Sequence, residues 1–352
     1  MAAAGPNAGV RQLTTTLPHR TDITRPAWWR SLGLLLSGNG PDAGSPFRAP
    51  PPRPITLSAV QRQYFDDNGY LILRGFIHPH TIAAARLRLD ALWRARPKDL
   101  PVVIDTFIGT EKQQRCFFPD ADPSARTHPY KISDLHLHDE TLQDLCADIR
   151  LISAMNQLLD ESAVVMNTLL LEYGSQQDAH VDTHDMPSVT PVKKAAAWIA
   201  LDPATEDNGP LFYYPKSHLL PPHRLTHAGL PAASAGTQQI IDEYQLERRD
   251  LLVEPGDVLI WHPQLLRGDS PTRDPKATRL SLVTYYATTA DVAPEDRIDL
   301  GGGRTLLRKP PTSHRLIRSG RTHGASVALS APASQPVAPQ PINRPIGATS
   351  RL

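Results

Sequence analysis

Asp178-Ala-His180-Val-Asp182-Thr-His184-Asp185 is the stretch on which the reading of this chain turns. It sets two imidazoles and three carboxylates close together, with His180 and Asp182 separated by a single valine. On an extended backbone, residues i and i+2 project to the same side, so an imidazole nitrogen and a carboxylate oxygen can converge in front of that face. His-x-Asp is two-thirds of a 2-His-1-carboxylate facial triad, the open coordination set that holds non-haem Fe(II). The same pair also occurs by chance in many proteins, so its meaning depends on what flanks it.

Working outward, the flanks read as strands. Val164 to Tyr173 leads into the motif with strand periodicity, and Ala195-Ala-Ala-Trp-Ile-Ala-Leu201 is a continuous apolar run. Asn208-Gly209-Pro210 turns into Leu211-Phe-Tyr-Tyr214, and a polar helical piece is expected near Gln238 to Asp250. Gly256-Asp257 opens Val258-Leu-Ile-Trp-His262, and Arg279-Leu-Ser-Leu-Val-Thr-Tyr-Tyr286 is the last strong strand. Helices come earlier. Thr56 or Ser58 is a candidate N-cap for a helix ending at Asn68-Gly69, followed by a buried strand Tyr70 to Leu73. From Pro79 to Arg96 a second helix sets Ile82, Ala85, Leu89 and Leu92 on one face, with Arg86, Arg88 and Arg94 mostly outside. Pro101 to Pro129 reads as irregular and polar, and a helical pattern returns from Leu142 to Leu159. Helices first, then strands at regular intervals, predict an all-β core with flanking helices: an antiparallel barrel or a double-sheet jelly roll behind a helical layer.

Composition sets the limits. Lys and Arg number 37 against 36 Asp and Glu, so no global field points to nucleic acid. The balance is uneven: nothing after Asp299 is acidic, that tail holds eight basic residues, and residues 1–299 carry a net −7. Cys116 and Cys146 are the sole cysteines, too few for a disulfide framework or a zinc set, which suits a reducing, cytoplasmic compartment. No apolar run near the N-terminus is long enough to span a bilayer or to serve as a signal peptide. Thirty-five prolines cluster at both ends. Residues 1–54 read as a flexible Pro-rich leader containing a short amphipathic stretch from Pro26 to Leu36, best explained as a helix packed on its own domain. Residues 55–290 read as one domain and 291–352 as a basic low-complexity tail.

In this order, several segments together resemble the phytanoyl-CoA dioxygenase family of Fe(II)/2-oxoglutarate-dependent oxygenases. They are Phe65-x-x-x-Gly69-Tyr-Leu-Ile-Leu-Arg-Gly75, His180-x-Asp182-x-His184, Trp198, Asn208-Gly-Pro-Leu-Phe-Tyr-Tyr-Pro-Lys-Ser-His218, Gly256-Asp-Val-Leu-Ile-Trp-His262 and Thr278-Arg-Leu-Ser-Leu-Val283. The resemblance covers about 56–288 and implies a double-stranded β-helix, a cupin-like jelly roll with helices outside. It implies Fe(II) on His180 and Asp182, and 2-oxoglutarate with its far carboxylate on Arg279, for which a planar guanidinium fork is apt. Ser281, two residues on, would add a hydroxyl, Lys131 stands where the family places a cofactor-contacting lysine, and Trp198 would wall the cofactor. Plain alternatives stand beside these: Trp198 as core, Lys131 as surface, and Arg279 as the partner of some buried anion, which any arginine in an apolar strand needs. The activity implied is hydroxylation of a small organic substrate, with no nucleic-acid partner; substrate and oligomeric state are not legible.

One position departs from the family. Its third iron ligand is a histidine immediately before a glycine, whereas this turn reads Trp261-His262-Pro-Gln-Leu-Leu-Arg267-Gly268-Asp269-Ser270. A guanidinium has no available lone pair and stays charged, so it cannot stand in for imidazole. Three readings follow: His262 turns inward as the third ligand, His184 rotates in, or the scaffold has become a binding module with little or no iron chemistry. An Arg267 guanidinium paired with Asp182 is the mark of the last.

Overall fold

The computed structural model describes residues 52–182, 193–225 and 234–309. Chain contacts divide the protein into Met1–Ser313 and His314–Leu352. The second unit, the Pro26 to Leu36 stretch and His184 lie outside the described residues.

Local signals set the opening. Ser58 caps helix α1 (Ala59–Asn68) through a reciprocal capping box with Gln61, and Gly69 ends it at φ 78° with its N–H on the Phe65 carbonyl. Strand β1 (Tyr70–Leu73) follows at once. Helix α2 spans Pro79–Ala95, and Ile82, Ala85, Leu89 and Leu92 are buried as its periodicity requires. Arg88 corrects the expected exposure: it is buried too, because its Nε donates to the Asp139 carboxylate. The polar stretch after Pro101 is not wholly irregular, since β2 (Val103–Thr106) and β3 (Gln114–Phe117) pair antiparallel. Strand β4 is Lys131–Ser133. The pattern from Leu142 to Leu159 resolves into two helices, α3 (Glu140–Cys146) and α4 (Ile149–Leu159). Asp148 interrupts it, its side chain accepting from the Arg150 N–H as the cap of α4.

The remaining strands are β5 (Ala163–Leu171), β6 (Ala195–Ala200), β7 (Leu211–Tyr213), β8 (Arg249–Asp250), β9 (Val258–Trp261), β10 (Arg267–Asp269), β11 (Ser281–Thr288), β12 (Arg297–Asp299) and β13 (Thr305–Leu307). Helix α5 (Ser234–Glu243) stands where the polar helical piece was expected, ending earlier. The large sheet runs β1-β9-β6-β11-β5-β4-β2-β3, and the small one runs β10-β7-β8. β13 joins β5 in parallel, so the sheet continues past the boundary expected at residue 290.

Alternation along the strands builds two cores. Ala195, Ala197, Ile199, Ile260, Leu282 and Tyr286 face the helices and pack with Phe65, Leu89 and Leu151. Ala196, Trp198, Ala200, Leu259, Trp261 and Val283 turn the other way and pack with Leu211 and Tyr213 of the small sheet. This is the jelly-roll architecture with helices on its outer face. The site lies between the sheets.

Candidate active site

His180 and Asp182 reach the site from the chain leaving β5. Backbone bonds hold them against the strand opposite: His180 N–H to the Arg267 carbonyl at 2.8 Å, Arg267 N–H to the His180 carbonyl at 3.0 Å, and Asp182 N–H to the Pro263 carbonyl at 2.9 Å. His180 and Arg267 are therefore a directly opposed antiparallel pair. Such pairs send their side chains to the same face, so position 267 stands beside the His-x-Asp motif.

The Arg267 guanidinium fills that place. Nη2 donates to Asp182 Oδ1, and the group lies over the Trp261 ring at 4.5 Å. Trp261 Nε1 donates to the other Asp182 oxygen at 2.7 Å. Tyr285 Oη is 3.4 Å from Nη2. The two charged residues are 8 % and 3 % exposed, so this is a buried ion pair with an aromatic cover. His180 Nδ1 donates to the Asp178 carbonyl at 2.7 Å, which leaves the lone pair on Nε2. Burial first, and then the Arg267 charge, lower its pKa and keep the ring neutral.

His262 is not part of this group. Trp261 turns inward to Asp182, so its neighbour along the strand faces the other way. The His262 ring packs on His218 at 5.3 Å, and its Nδ1 accepts from the Gln264 N–H. Burial and His218 push its pKa down to about 4. The inward-turning third ligand is thus corrected: the structure places His262 with His218, away from His180 and Asp182.

Iron held by three protein donors does not fit the described residues. At the third position stands a cation without a lone pair, already bound to the carboxylate that the metal would need. Among the described residues no group of three His, Cys, Asp or Glu side chains is placed to hold a metal.

A cavity of about 290 Å³ opens beside the ion pair. Arg279, Trp198 and Lys131 line it, as do Arg267 and Asp269. Arg279 is 1 % exposed, lies 5.7 Å over the Trp198 ring and donates to the Gly209 carbonyl at 2.6 Å. Ser281 shares its strand face, with a buried Oγ that has no partner. Lys131 sits 3.4 Å from the Asp105 carboxylate. Position 198 thus serves as both core and wall.

Asp269 is the residue that sequence reasoning missed. Its Oδ1 accepts from Arg279 Nη1 and Nη2, both at 3.1 Å, and its Oδ2 accepts from the Ser175 N–H and hydroxyl. The available signal was its spacing, two residues after Arg267 on one strand. Burial alone would raise its pKa, but the Arg279 charge and the Ser175 bonds overcome this and hold it below the usual value. A depressed folded pKa gives stability that is present above the unfolded value of about 3.9 and lost as pH falls through the folded one. The stability gap between wild type and Asp269→Asn is therefore expected to be flat above pH ~5 and to shrink in acid. Urea unfolding at stepped pH measures it, and a gap independent of pH down to acid unfolding refutes the linkage.

Comparison with known proteins agrees with the fold. The family model described as "Phytanoyl-CoA dioxygenase (PhyH)" matches residues 65–274, more than half of the chain. A Caenorhabditis elegans protein named "Probable phytanoyl-CoA dioxygenase" is 25% identical over 248 residues, covering 66% of this chain and 75% of that protein. The Rattus norvegicus "Phytanoyl-CoA dioxygenase, peroxisomal" is 24% identical over 247 residues, 66% of this chain and 69% of its own. Among solved structures, the non-haem α-ketoglutarate-dependent carbocyclase SnoK from nogalamycin biosynthesis aligns at TM-score 0.53 and 15% identity, over 78% of this chain and 98% of that one. EctD from S. alaskensis with 2-oxoglutarate and 5-hydroxyectoine aligns at 0.51 and 19% identity, over 67% and 78%. The same protein has been solved with bound Fe. These structural neighbours share the jelly roll. No helix among the described residues is long and apolar enough to cross a membrane. From the ordered segments, the opposed His180 and Arg267 positions and the match over 65–274, this chain belongs to the phytanoyl-CoA dioxygenase family.

Proposed function

We propose that this protein binds a small organic molecule between the two sheets of an oxygenase scaffold, with Arg267 holding the place of the family's iron. The observation that carries this reading is the buried Arg267–Asp182 ion pair. Fe(II) would have to displace a guanidinium of the same sign, break that pair and still find a third donor. The cavity of about 290 Å³ is near the lower end of small-molecule pockets, which run from roughly 300 Å³ upward, so the enclosed part of the ligand is small. A cytoplasmic location belongs to this reading and is supported by Cys116 and Cys146, both free thiols.

The second reading is the family's own activity: Fe(II)/2-oxoglutarate-dependent hydroxylation of a small organic substrate. His180, Asp182 and Arg279 favour it, because all three are retained and buried. In that case Arg267 must leave Asp182, with a third donor coming from His184 or solvent.

Anaerobic Fe(II) titration by calorimetry, with and without 2-oxoglutarate, separates the two. The binding reading expects no saturable iron uptake by wild type. Stoichiometric uptake that His180→Ala abolishes overturns it in favour of the dioxygenase.

A further inference from the structure

Arg267 and Asp269 are two residues apart on β10, so both side chains leave the same face of the strand. The residue between them faces tight packing: a Cβ on Gly268 would lie 2.6 Å from Phe212 Cζ and 2.7 Å from the Gln177 carbonyl oxygen. That packing fixes the strand's facing and leaves positions 267 and 269 turned to the cavity they line. Each engages a buried group of opposite charge on another element, Asp182 for Arg267 and Arg279 for Asp269. An iron(II) ion with a doubly charged dicarboxylate adds no net charge to such a pocket, and neither does one arginine with one aspartate.

We propose that Asp269 is an internal carboxylate seated on Arg279, so that the cavity refuses free dicarboxylates such as 2-oxoglutarate and takes a neutral, largely apolar ligand. The proposal rests on Arg279 being the carboxylate anchor. The seat is well made: both terminal nitrogens of Arg279 share Oδ1, and Ser175 satisfies Oδ2. An incoming carboxylate must eject one of the same charge from a pair whose members are 2 % and 10 % exposed. Leaving Asp269 buried and unpaired costs far more than the new contact returns. With both charge pairs closed and Lys131 held 3.4 Å from the Asp105 carboxylate, the rest of the wall is more apolar than polar, with Ile108, Leu169, Leu171, Leu211, Val283 and Trp198 its larger part. That wall matches a hydrocarbon or aromatic ligand better than an acid.

The test is 2-oxoglutarate binding by calorimetry on the full chain, with EDTA present so that metal plays no part. Wild type is expected to show no saturable binding up to millimolar ligand. Asp269→Ser, which frees Arg279, is expected to bind at least ~30-fold more tightly, and Asp269→Ser/Arg279→Leu to lose that gain. Asp269→Asn keeps the side-chain volume while removing the charge, and serves if the serine variant does not fold cooperatively. Micromolar binding by wild type overturns the proposal. So does the absence of any gain in a folded position-269 variant, or a gain that survives Arg279→Leu, which would also withdraw the anchor assignment. Because metal is excluded, failure here leaves the iron reading untouched, and iron uptake by wild type leaves this result untouched.

Discussion

Arg267→His should convert a chain with no saturable Fe(II) uptake into one that binds the metal at least ~100-fold more tightly, a difference of about 2.7 kcal/mol. The substitution replaces a fixed cation by a neutral nitrogen donor directly opposite His180, where the backbone pair already aims the side chain. It also releases Asp182 Oδ1 while Trp261 Nε1 still orients the other oxygen. Two measurements should move together. The metal-free variant should be less stable than wild type, because Asp182 is left buried without its countercharge. Adding Fe(II) anaerobically should restore that stability in proportion to RT ln(1 + [Fe]/Kd), so the melting temperature rises with metal in the variant and not in wild type. A variant that folds, yet shows neither iron heat nor a metal-dependent melting shift, would mean that the His180 and Asp182 geometry is unsuited to a metal beyond this one position. The single change is not expected to bring 2-oxoglutarate affinity with it, since Asp269 remains on Arg279.

How far this was legible in the sequence depends on the range of the interaction. Signals confined to a few residues read correctly: the Ser58 cap, the Gly69 stop and the apolar run from Ala195, whose alternation between the two cores only the structure shows. The same alternation in Val258-Leu-Ile-Trp-His262 could have shown that an inward Trp261 sends His262 outward. Cap competition was harder to weigh; Asp148 looked like one more polar residue in a helical pattern, yet it starts a new helix. Burial of charge was legible only in outline: Arg279 in an apolar strand calls for a buried anion, and Arg267 pairs with Asp182 on one of three readings. Arg88 is buried because Asp139 lies 51 residues away, and Arg267 because Asp182 lies 85 residues away. No local pattern carries such partners. Asp269 and Arg279, only 10 residues apart, are joined by a turn whose course the sequence does not specify. The family resemblance supplied the position of the missing ligand and the sequence the residue in it, but choosing among the three readings needed the fold.

Removing the other half of the pair should have the second large effect, on stability rather than on binding. Asp182→Ala would leave the Arg267 guanidinium 8 % exposed, with its Nε already lacking a partner and its main acceptor gone. It also strips Trp261 Nε1 of its acceptor. Breaking one member of a buried ion pair costs about 3–5 kcal/mol, because the surviving charge stays desolvated. Arginine cannot escape by losing its proton in the accessible pH range, so the loss should persist from neutral pH upward. Urea midpoints of wild type, Asp182→Leu, Arg267→Met and the Asp182→Leu/Arg267→Met double variant close the cycle, with Asp182→Ala measured beside them. The double variant should recover the part of the loss that comes from the unpaired charge, while Trp261 Nε1 stays without its acceptor. A double variant that adds the two single losses would show that the residues act separately. In that event the guanidinium would be an independent surface of the cavity rather than the occupant of the metal's place, and iron could enter without first breaking a pair.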